Sequence, residues 1–324
     1  MTSIIDKIYP KTQQVVDLVL KEYPMQKKNL RKAKSNLDEN ENQEVESYID
    51  FLITEGHKIE TIAEAYTLIV RDTFREEFYF REKGKYRYSL FSEVEELVYN
   101  NHDYMKLYMI GLGLTVYWWP NHVQLRRFFI ANIKKFKAQE NDLYREVGPG
   151  NGIYFLQAMK NCCFKNYEGI DISPTSVELT KRLLGSGFFG DFSKANIIED
   201  NFLDKKERDL ADFLVMGEVL EHVENPDEFI KRAYATTKDT ALVFLTTCIN
   251  APAIDHLYNP GTIENLEKLF TDNSFVIRER CIVPRVGKSE EECIKEKLAI
   301  NVGYFLSKNS SEMSHKNNKE IKYV

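Results

Sequence analysis

The sequence is poor in cysteine and lacks the spacing of a disulfide framework. Its 324 residues include 5 cysteines, an odd number, and no CxxC pair. We therefore expect a reducing compartment, with the cytoplasm as the default. Basic residues are not in excess either, because 44 Lys and Arg stand against 50 Asp and Glu, for a net charge of −6. Tight binding to long nucleic acid is not expected, although a local basic patch is not excluded.

Long uninterrupted apolar runs are missing as well. The opening stretch, MTSIIDKIYPKTQQVVDLVLKEYP, places acids and a proline among its apolar positions. It is predicted to be neither a signal peptide nor a membrane span. Hydrophobic residues make up 43% of the chain and charged residues 29%, ordinary globular values that allow a core of normal size. The length suits two modest domains or one domain with a long extension.

Residues 1–140 are predicted to form an all-helical domain. Apolar residues recur near the helical period in QQVVDLVLKEY, VESYIDFLITEG, TIAEAYTLIVRDTFREEFYF and FSEVEELVYN. The most apolar part, residues 104–136, is interrupted by Gly111, Gly113 and Pro120, which predicts two buried helices with a bend between them. The charged run KKNLRKAKSNLDENENQEVE is predicted to be a solvated loop or helix face.

Residues 141–307 are predicted to form an α/β domain. Short apolar runs in LYREVG, YEGIDIS, ANIIED, ADFLVMGEVL, ALVFLTT, SFVIRERCIV and NVGYFLSK are strand candidates. Helical stretches separate most of them, such as IYFLQAMKNC, PTSVELTKRLL, NPDEFIKRAYATT and NLEKLFTDN. This alternation predicts a mainly parallel sheet with helices on both faces. Residues 308–324 are polar and are predicted to be a loose tail.

A glycine-rich turn, REVGPGNGIYF, joins the first predicted strand of this domain to its first helix. Open α/β sheets bind ligands at this position, and glycines allow positive φ angles and a close approach of the backbone. Gly148, Gly150 and Gly152 give G-x-G-x-G, not the G-x-G-x-x-G of a dinucleotide site or the Lys-Ser/Thr ending of a P-loop. The turn is therefore interpreted as the binding site of a ligand that has no pyrophosphate. The alternative, that the glycines only turn the chain, is less favoured.

Polar residues at the next two strand ends describe a nucleoside. Asp171 ends the second strand, where a carboxylate can accept both hydroxyls of a ribose. Asn201 followed by Phe202 ends the third, and this pair suits the edge and face of an adenine. Together with the turn, these residues predict a nucleoside whose 5′ substituent is small and zwitterionic.

This constellation resembles the class I S-adenosylmethionine-dependent methyltransferases, of the small-molecule and natural-product type with a helical lid. Their first motif, an acid, any residue and G-x-G-x-G, fits Glu146 to Gly152, and E-V-L-E-H of their fourth strand fits residues 218–222. The resemblance covers 141–307 and implies a Rossmann-like seven-stranded sheet with an antiparallel last strand, and S-adenosylmethionine as cofactor. The cofactor-binding residues that it implies are Glu146, Gly148, Gly150, Gly152, Asp171, Ile172, Asn201, Phe202, Met216, Gly217 and Glu218.

Loops after the fourth and fifth strands supply candidate catalytic groups. Methyl transfer requires alignment of nucleophile, methyl and sulfur, and often the removal of one proton. Glu218 and His222 follow the fourth strand, His256 lies in TTCINAPAIDHLYNP after the fifth, and His122 comes from the helical half. A single histidine is the predicted base, with His256 placed ahead of His222 and His122.

Two carboxylates and two imidazoles, from Glu218, Glu221, His222 and His256, also form a set that suits a divalent cation. The set is similar to the E-x-x-E-H plus later His signature of the small-RNA 2′-O-methyltransferases. The interval from His222 to His256 is shorter than expected for those enzymes, and E-V-L-E-H is common in class I enzymes that bind no metal. No metal is therefore assigned, and metal-assisted RNA methylation is kept as an alternative.

The helical half is predicted to cover the site, with aromatic residues such as Trp118 and Trp119 closing an apolar acceptor pocket and excluding water. Its alternative use is dimerisation, which would make the protein a homodimer. The expected acceptor is a small molecule or an acyl chain carried on a protein, and no membrane is involved. A nonenzymatic protein that keeps the cofactor fold for ligand sensing or assembly is the remaining alternative.

Overall fold

A computed structural model describes residues 9–192, 195–204, 206 and 208–309. Of the predicted polar tail, 308–324, Lys308 belongs to the last strand, and the residues after Asn309 lie outside the described residues. The first half contains helices α1 (Pro10–Glu22), α2 (Lys27–Asn36), α3 (Glu39–Thr54), α4 (Ile59–Lys83), α5 (His102–Trp118) and α6 (Pro120–Ile133). A short helical turn, Phe91–Val94, continues as a π-helical turn, Glu95–Tyr99, between α4 and α5.

The charged run in the first half is helical rather than a loop. It forms α2 and the start of α3, with Asp38 between them. The Asp38 side chain accepts a hydrogen bond from the backbone N–H of Glu41 at 2.8 Å, and the Glu41 carboxylate accepts one from the N–H of Asp38 at 3.0 Å. This capping box satisfies two N–H groups that the helix itself leaves unpaired, so α3 begins there despite its polar sequence.

The predicted bend in the apolar segment falls at Trp119–Pro120, between α5 and α6. Gly111 and Gly113 do not interrupt α5, because they serve close helix packing. A Cβ at Gly111 would lie 2.3 Å from the carbonyl oxygen of Ala65, and one at Gly113 would lie 2.2 Å from the Tyr48 hydroxyl. No side chain fits at these contacts, so glycine here lets α4 and α3 approach α5.

The second half builds one seven-stranded sheet in the order β3-β2-β1-β4-β5-β7-β6. β7 runs antiparallel to β5 and β6, and the other pairs are parallel. This confirms the predicted Rossmann-like sheet with an antiparallel last strand. The strands are β1 (Leu143–Val147), β2 (Asn166–Asp171), β3 (Asn196–Glu199), β4 (Ala211–Gly217), β5 (Thr237–Ile249), β6 (Phe275–Pro284) and β7 (Ile300–Lys308).

Helices connect these strands and pack on the sheet. They are α7 (Ile153–Asn161), α8 (Pro174–Gly185), α9 (Pro226–Ala235), α10 (Ile263–Asp272) and α11 (Glu290–Glu296). Asn225 caps α9 by accepting the N–H of Glu228 at 3.2 Å. Helix α11 was not predicted, because seven residues rich in charge show no apolar period; a capping box of Ser289 and Glu292 starts it.

One hydrophobic core spans the helical half and the sheet. Phe129 of α6 lies against Phe244 of β5 with ring centroids 4.7 Å apart, and Phe128 meets Phe305 of β7 at 5.3 Å. The change near residue 140 is therefore a change of secondary structure along the chain, while the core continues across it. In the part of the chain described, no helix is both long and apolar enough to cross a bilayer.

Candidate functional site

The glycine turn after β1 is held in left-handed backbone conformations. Gly148 and Gly150 have φ angles of +66° and +56°, which side chains with a Cβ seldom adopt. The N–H of Gly148 donates to the carbonyl of Ile170 at 2.8 Å. A Cβ at Gly148 would lie 2.7 Å from Val219. The turn thus presents bare backbone at the carboxyl ends of β1 and β4, where the strand order of the sheet reverses.

Asp171 connects the end of β2 to this turn. Its Oδ2 accepts the N–H of Gly150 at 3.1 Å, and its Oδ1 accepts the N–H of Ser173 at 2.9 Å. Burial raises the pKa of Asp171 to about 6. A carboxylate offers about four lone-pair directions, so Asp171 can hold the turn and still accept ligand hydroxyls.

Glu146 lies beneath the turn and is 2% exposed. Burial raises its pKa to about 8, although the hydrogen bond donated by the Tyr144 hydroxyl acts in the opposite direction. This pKa favours the protonated form of Glu146 at neutral pH. It can donate a hydrogen bond as well as accept one, which suits a group that fixes the turn.

A cavity of about 1260 Å³ opens above the carboxyl ends of β1, β2, β4 and β5 and is covered by the helical half. This exceeds the roughly 300–1,000 Å³ of most small-ligand pockets, which leaves room for an acceptor beside a cofactor. Among the residues predicted for the cofactor and for catalysis, those on its wall are Glu146, Gly148, Gly150, Asp171, Ile172, Asn201, Phe202, Gly217, Glu218, His122, His222 and His256.

Two predicted cofactor residues lie elsewhere. Gly152 precedes α7 with φ +77°, and a Cβ there would meet the Thr180 side chain at 3.2 Å. Met216 is fully buried in the core of the sheet. Their positions indicate that Gly152 starts the helix and that Met216 packs, rather than facing the cavity.

Two residues at strand ends have strained backbones. Glu218 after β4 and Asn250 after β5 have φ angles of +54° and +52°, a conformation that costs a non-glycine residue about 1–3 kcal/mol. The N–H of Glu218 donates to the Thr246 carbonyl at 3.1 Å and to its hydroxyl at 3.0 Å. These bonds fix the loop after β4 against β5 and direct the Glu218 side chain into the cavity wall.

His222 and Asp255 form a pair on the cavity wall. The Nδ1 atom of His222 lies 3.1 Å from the Asp255 carbonyl oxygen and 3.4 Å from its Oδ2. Asp255 is 2% exposed and also accepts hydrogen bonds from the hydroxyls of Tyr108 at 2.9 Å and Tyr99 at 3.5 Å. With Nδ1–H donating to Asp255, Nε2 of His222 is left as a proton acceptor.

Burial lowers the pKa of the other two histidines. His256 directs Nδ1 to the carbonyl of Ala251 at 2.7 Å, and burial, with the nearby His222, lowers its pKa to about 4. His122 lies 3.0 Å through Nδ1 from the Thr115 hydroxyl, and burial lowers its pKa as well. Both imidazoles are neutral at neutral pH, and both line the cavity.

Glu218, which is partly buried, and Glu221, which is fully buried, form an acidic pair beside these histidines. Thr247 donates to Oε2 of Glu221 at 2.8 Å, but the buried Oε1 atoms of Glu218 and Glu221 have no hydrogen-bond donor from the described residues. Burial, and next the charge on Glu218, raise the pKa of Glu221 well above its ordinary value.

Two overlapping donor sets near this pair could hold a cation. One set is Glu221, Cys248 and His256, and the other is His222, Asp255 and His256. Within each set the ligand atoms lie within 4.8 Å of one another. Glu218 belongs to neither set. The sequence had suggested Glu218, Glu221, His222 and His256 instead, so the structure keeps three of those residues and adds Cys248 and Asp255.

The partners of Asp255 could not be found from sequence patterns. Tyr99 and Tyr108 come from the helical half, more than 140 positions away in the chain. Tyr108 sits in an apolar helix and has no spacing that distinguishes it from a core residue. The only signal for Asp255 itself was its place in a polar loop after a strand.

The residues present fit S-adenosylmethionine. The bare backbone at Gly148 and Gly150 leaves room for its methionine part, Asp171 has free lone pairs for the ribose, and Phe202 lies on the cavity wall. Residues 122–282, about half of the chain, match a protein family described as a methyltransferase domain. Fold and site together define a class I Rossmann-like enzyme.

The protein is an S-adenosylmethionine-dependent methyltransferase of class I with an N-terminal helical region. No curated protein matches its sequence. Among solved structures, it is similar to the N-methyltransferase NodS from Bradyrhizobium japonicum WM9 in complex with S-adenosyl-L-homocysteine, at 13% identity and a TM-score of 0.43, covering 57% of this chain and 87% of that one. It is also similar to the cyclopropane synthase MmaA2 from Mycobacterium tuberculosis, at 13% identity and a TM-score of 0.45, covering 58% and 84%. Likenesses this distant say nothing about the acceptor.

Proposed function

We propose that this methyltransferase acts on a small molecule or a carrier-bound acyl chain, in natural-product biosynthesis in the cytoplasm. The observation that carries the proposal is a single cavity that holds both the Gly148–Gly150 turn with Asp171 and the His222–Asp255 pair. One part of this cavity suits the cofactor, and the part left for the acceptor has His222 beside it as a base. The five cysteines are all unpaired, which supports a reducing compartment.

S-adenosylmethionine, when bound, supplies an electrophilic methyl group on a positively charged sulfur. The protein's part is to bring an acceptor into line with that methyl and to take the proton that the acceptor loses. His222 is the group proposed to take this proton at Nε2. Asp255 holds the ring by Nδ1 and balances the charge that the ring gains, and Tyr99 and Tyr108 hold Asp255 in turn.

This assignment places His222 ahead of His256, the reverse of the order expected from the sequence. A pKa near 4 makes His256 a weak base at neutral pH. Its Nδ1 atom is occupied by the Ala251 carbonyl, and its ring packs edge-on against His222 at a centroid distance of 4.9 Å. His256 is therefore proposed to support His222 and shape the pocket.

Cofactor binding is tested by Gly150→Arg. Because Gly150 has φ +56° and lines the cavity, and a Cβ there would lie 3.5 Å from the sulfur of Met109, an arginine would strain the turn and occupy the cofactor space. We expect S-adenosylhomocysteine binding, measured by calorimetry, to weaken at least a hundredfold, which corresponds to about 2.7 kcal/mol.

Gly185→Arg is the matched control, because Gly185 ends α8 and a Cβ at this position would have nothing within 4 Å. Its affinity should equal that of the wild type. Unchanged binding in Gly150→Arg would contradict the proposed site. Tight binding without turnover across a broad acceptor panel would instead favour a nonenzymatic cofactor-binding protein.

Metal-assisted methylation, with RNA as the acceptor, is the second candidate, and the donor sets around His256 are what favours it. Elemental analysis of the purified protein and of His256→Ala distinguishes the two. Stoichiometric metal that is lost in the variant would favour the metal mechanism; full activity after treatment with EDTA would exclude it.

A further inference from the structure

Acidic side chains outnumber basic ones on the cavity wall. On the acceptor side it carries Asp72, Glu218, Glu221 and Asp255, and further carboxylates line the cofactor side. Lys28, Lys32 and Arg285 are the lysines and arginines among the described lining residues. Lys28 and Lys32 belong to α2 and Arg285 follows β6, so none of the three comes from the loops after β4 and β5 that carry the catalytic groups.

Burial makes ionisation of the acidic pair costly unless a cation enters, and it raises the pKa of Glu221 for that reason. Glu221 is 1% exposed, lines the cavity, and has an Oε1 atom without a hydrogen-bond donor from the described residues. The Oε1 atom of Glu218 is likewise buried and has no hydrogen-bond donor from the described residues. A buried carboxyl group keeps its proton unless a positive partner stabilises its ionised form. Both oxygens are therefore open to a positively charged N–H donor from a ligand.

The cofactor alone does not balance these charges. S-adenosylmethionine has a sulfonium, an ammonium and a carboxylate, and so brings only one positive charge in excess. Its amino acid part is expected at the glycine turn, away from the loop after β5. The carboxylates nearest His222 thus face the place left for the acceptor.

Aromatic groups complete a site for a cation. Tyr99, Tyr108 and Trp119 line the same cavity, and aromatic rings attract ammonium groups through their faces. The donor sets around His256 suit a metal less well, because Asp255 already accepts two tyrosine hydroxyls and Nδ1 of His256 already faces a carbonyl.

We infer that the acceptor, within the function proposed above, is a small organic amine that enters the cavity as an ammonium ion and is methylated on nitrogen. His222 accepts one proton from the ammonium, which frees the nitrogen lone pair. The nitrogen–methyl bond forms as the methyl–sulfur bond breaks, and the sulfur keeps the electron pair of that bond. The product is a methylated ammonium ion, and the proton on His222 passes to solvent.

Matched ligand series test this inference. Each series keeps one scaffold and changes one group: 2-phenylethylamine, 2-phenylethanol and phenylacetate; tryptamine, tryptophol and indole-3-acetate; hexylamine, hexanol and hexanoate. Affinities are measured by calorimetry on EDTA-treated full-length protein saturated with S-adenosylhomocysteine. In each series that binds, we expect the amine to bind at least tenfold more tightly than the alcohol and the carboxylate to bind least.

Removing the acidic pair should remove the preference. In the double variant Glu218→Gln, Glu221→Gln the amine-to-alcohol ratio should fall about tenfold to a hundredfold, the range for losing one charged hydrogen bond. Glu178→Gln makes the same kind of change on an exposed carboxylate of α8 and should leave the ratio unaltered. The affinity of S-adenosylhomocysteine is measured on each variant to confirm an intact cofactor site.

The outcomes separate this inference from the function on which it rests. Alcohols or carboxylates that bind as well as the amines, or no preference in any series, overturn the amine while S-adenosylhomocysteine binding leaves the methyltransferase site standing. Stoichiometric divalent metal on the protein before EDTA treatment overturns it as well, since the carboxylates then have their cation. Failure to bind S-adenosylhomocysteine at all contradicts the proposed function itself.

Discussion

Individual side chains in this site depend on partners from distant parts of the chain. Asp255 is buried, which would be costly for a carboxylate alone, but hydroxyls from Tyr99 and Tyr108 and the ring of His222 surround it. A buried carboxylate fixed in this way can orient an imidazole and stabilise it once protonated, as in other carboxylate–histidine pairs.

Asp255→Asn tests this positioning role. The amide keeps the shape of Asp255 but not its charge, so His222 loses the group that balances its proton in the transition state. We expect kcat to fall about a hundredfold to ten-thousandfold, within the range of general-base contributions, with little change in KM for the cofactor. Steady-state kinetics, with an amine that binds in the ligand series as the acceptor, measure both constants.

Tyr258→Phe is a matched control on the same loop, because Tyr258 lies three positions from Asp255 and is only partly buried. Its kcat should remain near that of the wild type. Equal losses in Asp255→Asn and in this control, or a loss confined to KM, would contradict the role of Asp255.

At the scale of the elements, the periodicity of the sequence predicted the helices and strands well, but it did not predict which of them are in contact. The amphipathic stretches and the turn residues around Asn225 and Pro226 were sufficient for α9, because capping is a local interaction. The glycines of α5 were different. Their composition suggested a break, while the structure uses them for close packing against α4 and α3, a reason that depends on which helices become neighbours.

Gly113→Ala tests this packing. A methyl group there would lie 2.2 Å from the Tyr48 hydroxyl, so α3 and α5 would have to separate. The free energy of unfolding should fall by about 1–3 kcal/mol, the usual cost of overpacking a core, as measured by denaturant titration.

Gly185→Ala makes the same substitution where nothing lies within 4 Å. There the change should be neutral or slightly stabilising, since alanine is the better helix former. An unchanged stability in Gly113→Ala would mean that α3 and α5 are not in the contact described.

The whole molecule unites a helical half and a sheet through one core, so its stability should respond as a unit to buried ionisable groups. Glu146 and Asp171 have folded-state pKa values of about 8 and about 6, both raised by burial. Because the folded protein then binds more protons than the unfolded chain, stability is greatest below the unfolded-state pKa values and is lost as the pH rises toward 8.

Glu146→Gln should flatten this loss between pH 6 and 8, because the amide cannot ionise. The free energy of unfolding, measured by denaturant titration at several pH values, gives the slope. Glu199→Gln, which changes an exposed carboxylate at the end of β3, should keep the slope of the wild type. A variant slope equal to that of the wild type would mean that Glu146 is not the group being titrated.

The sequence by itself determined the class of fold and the cofactor turn. Strand–helix alternation follows from periodicity along the chain, and the G-x-G-x-G turn, its preceding acid and Asp171 lie within 26 residues, Glu146–Asp171. Such features are local, so they depend on residue types and spacing alone.

Only the tertiary structure decided which histidine has a carboxylate partner and which carboxyl groups lie together. It also decided that the only lysines and arginines of the described cavity wall come from α2 and from the residue after β6. These properties come from burial and from contacts between residues that are far apart in the chain. A sequence pattern describes neither burial nor long-range contacts, because both exist only once the helical half lies on the sheet.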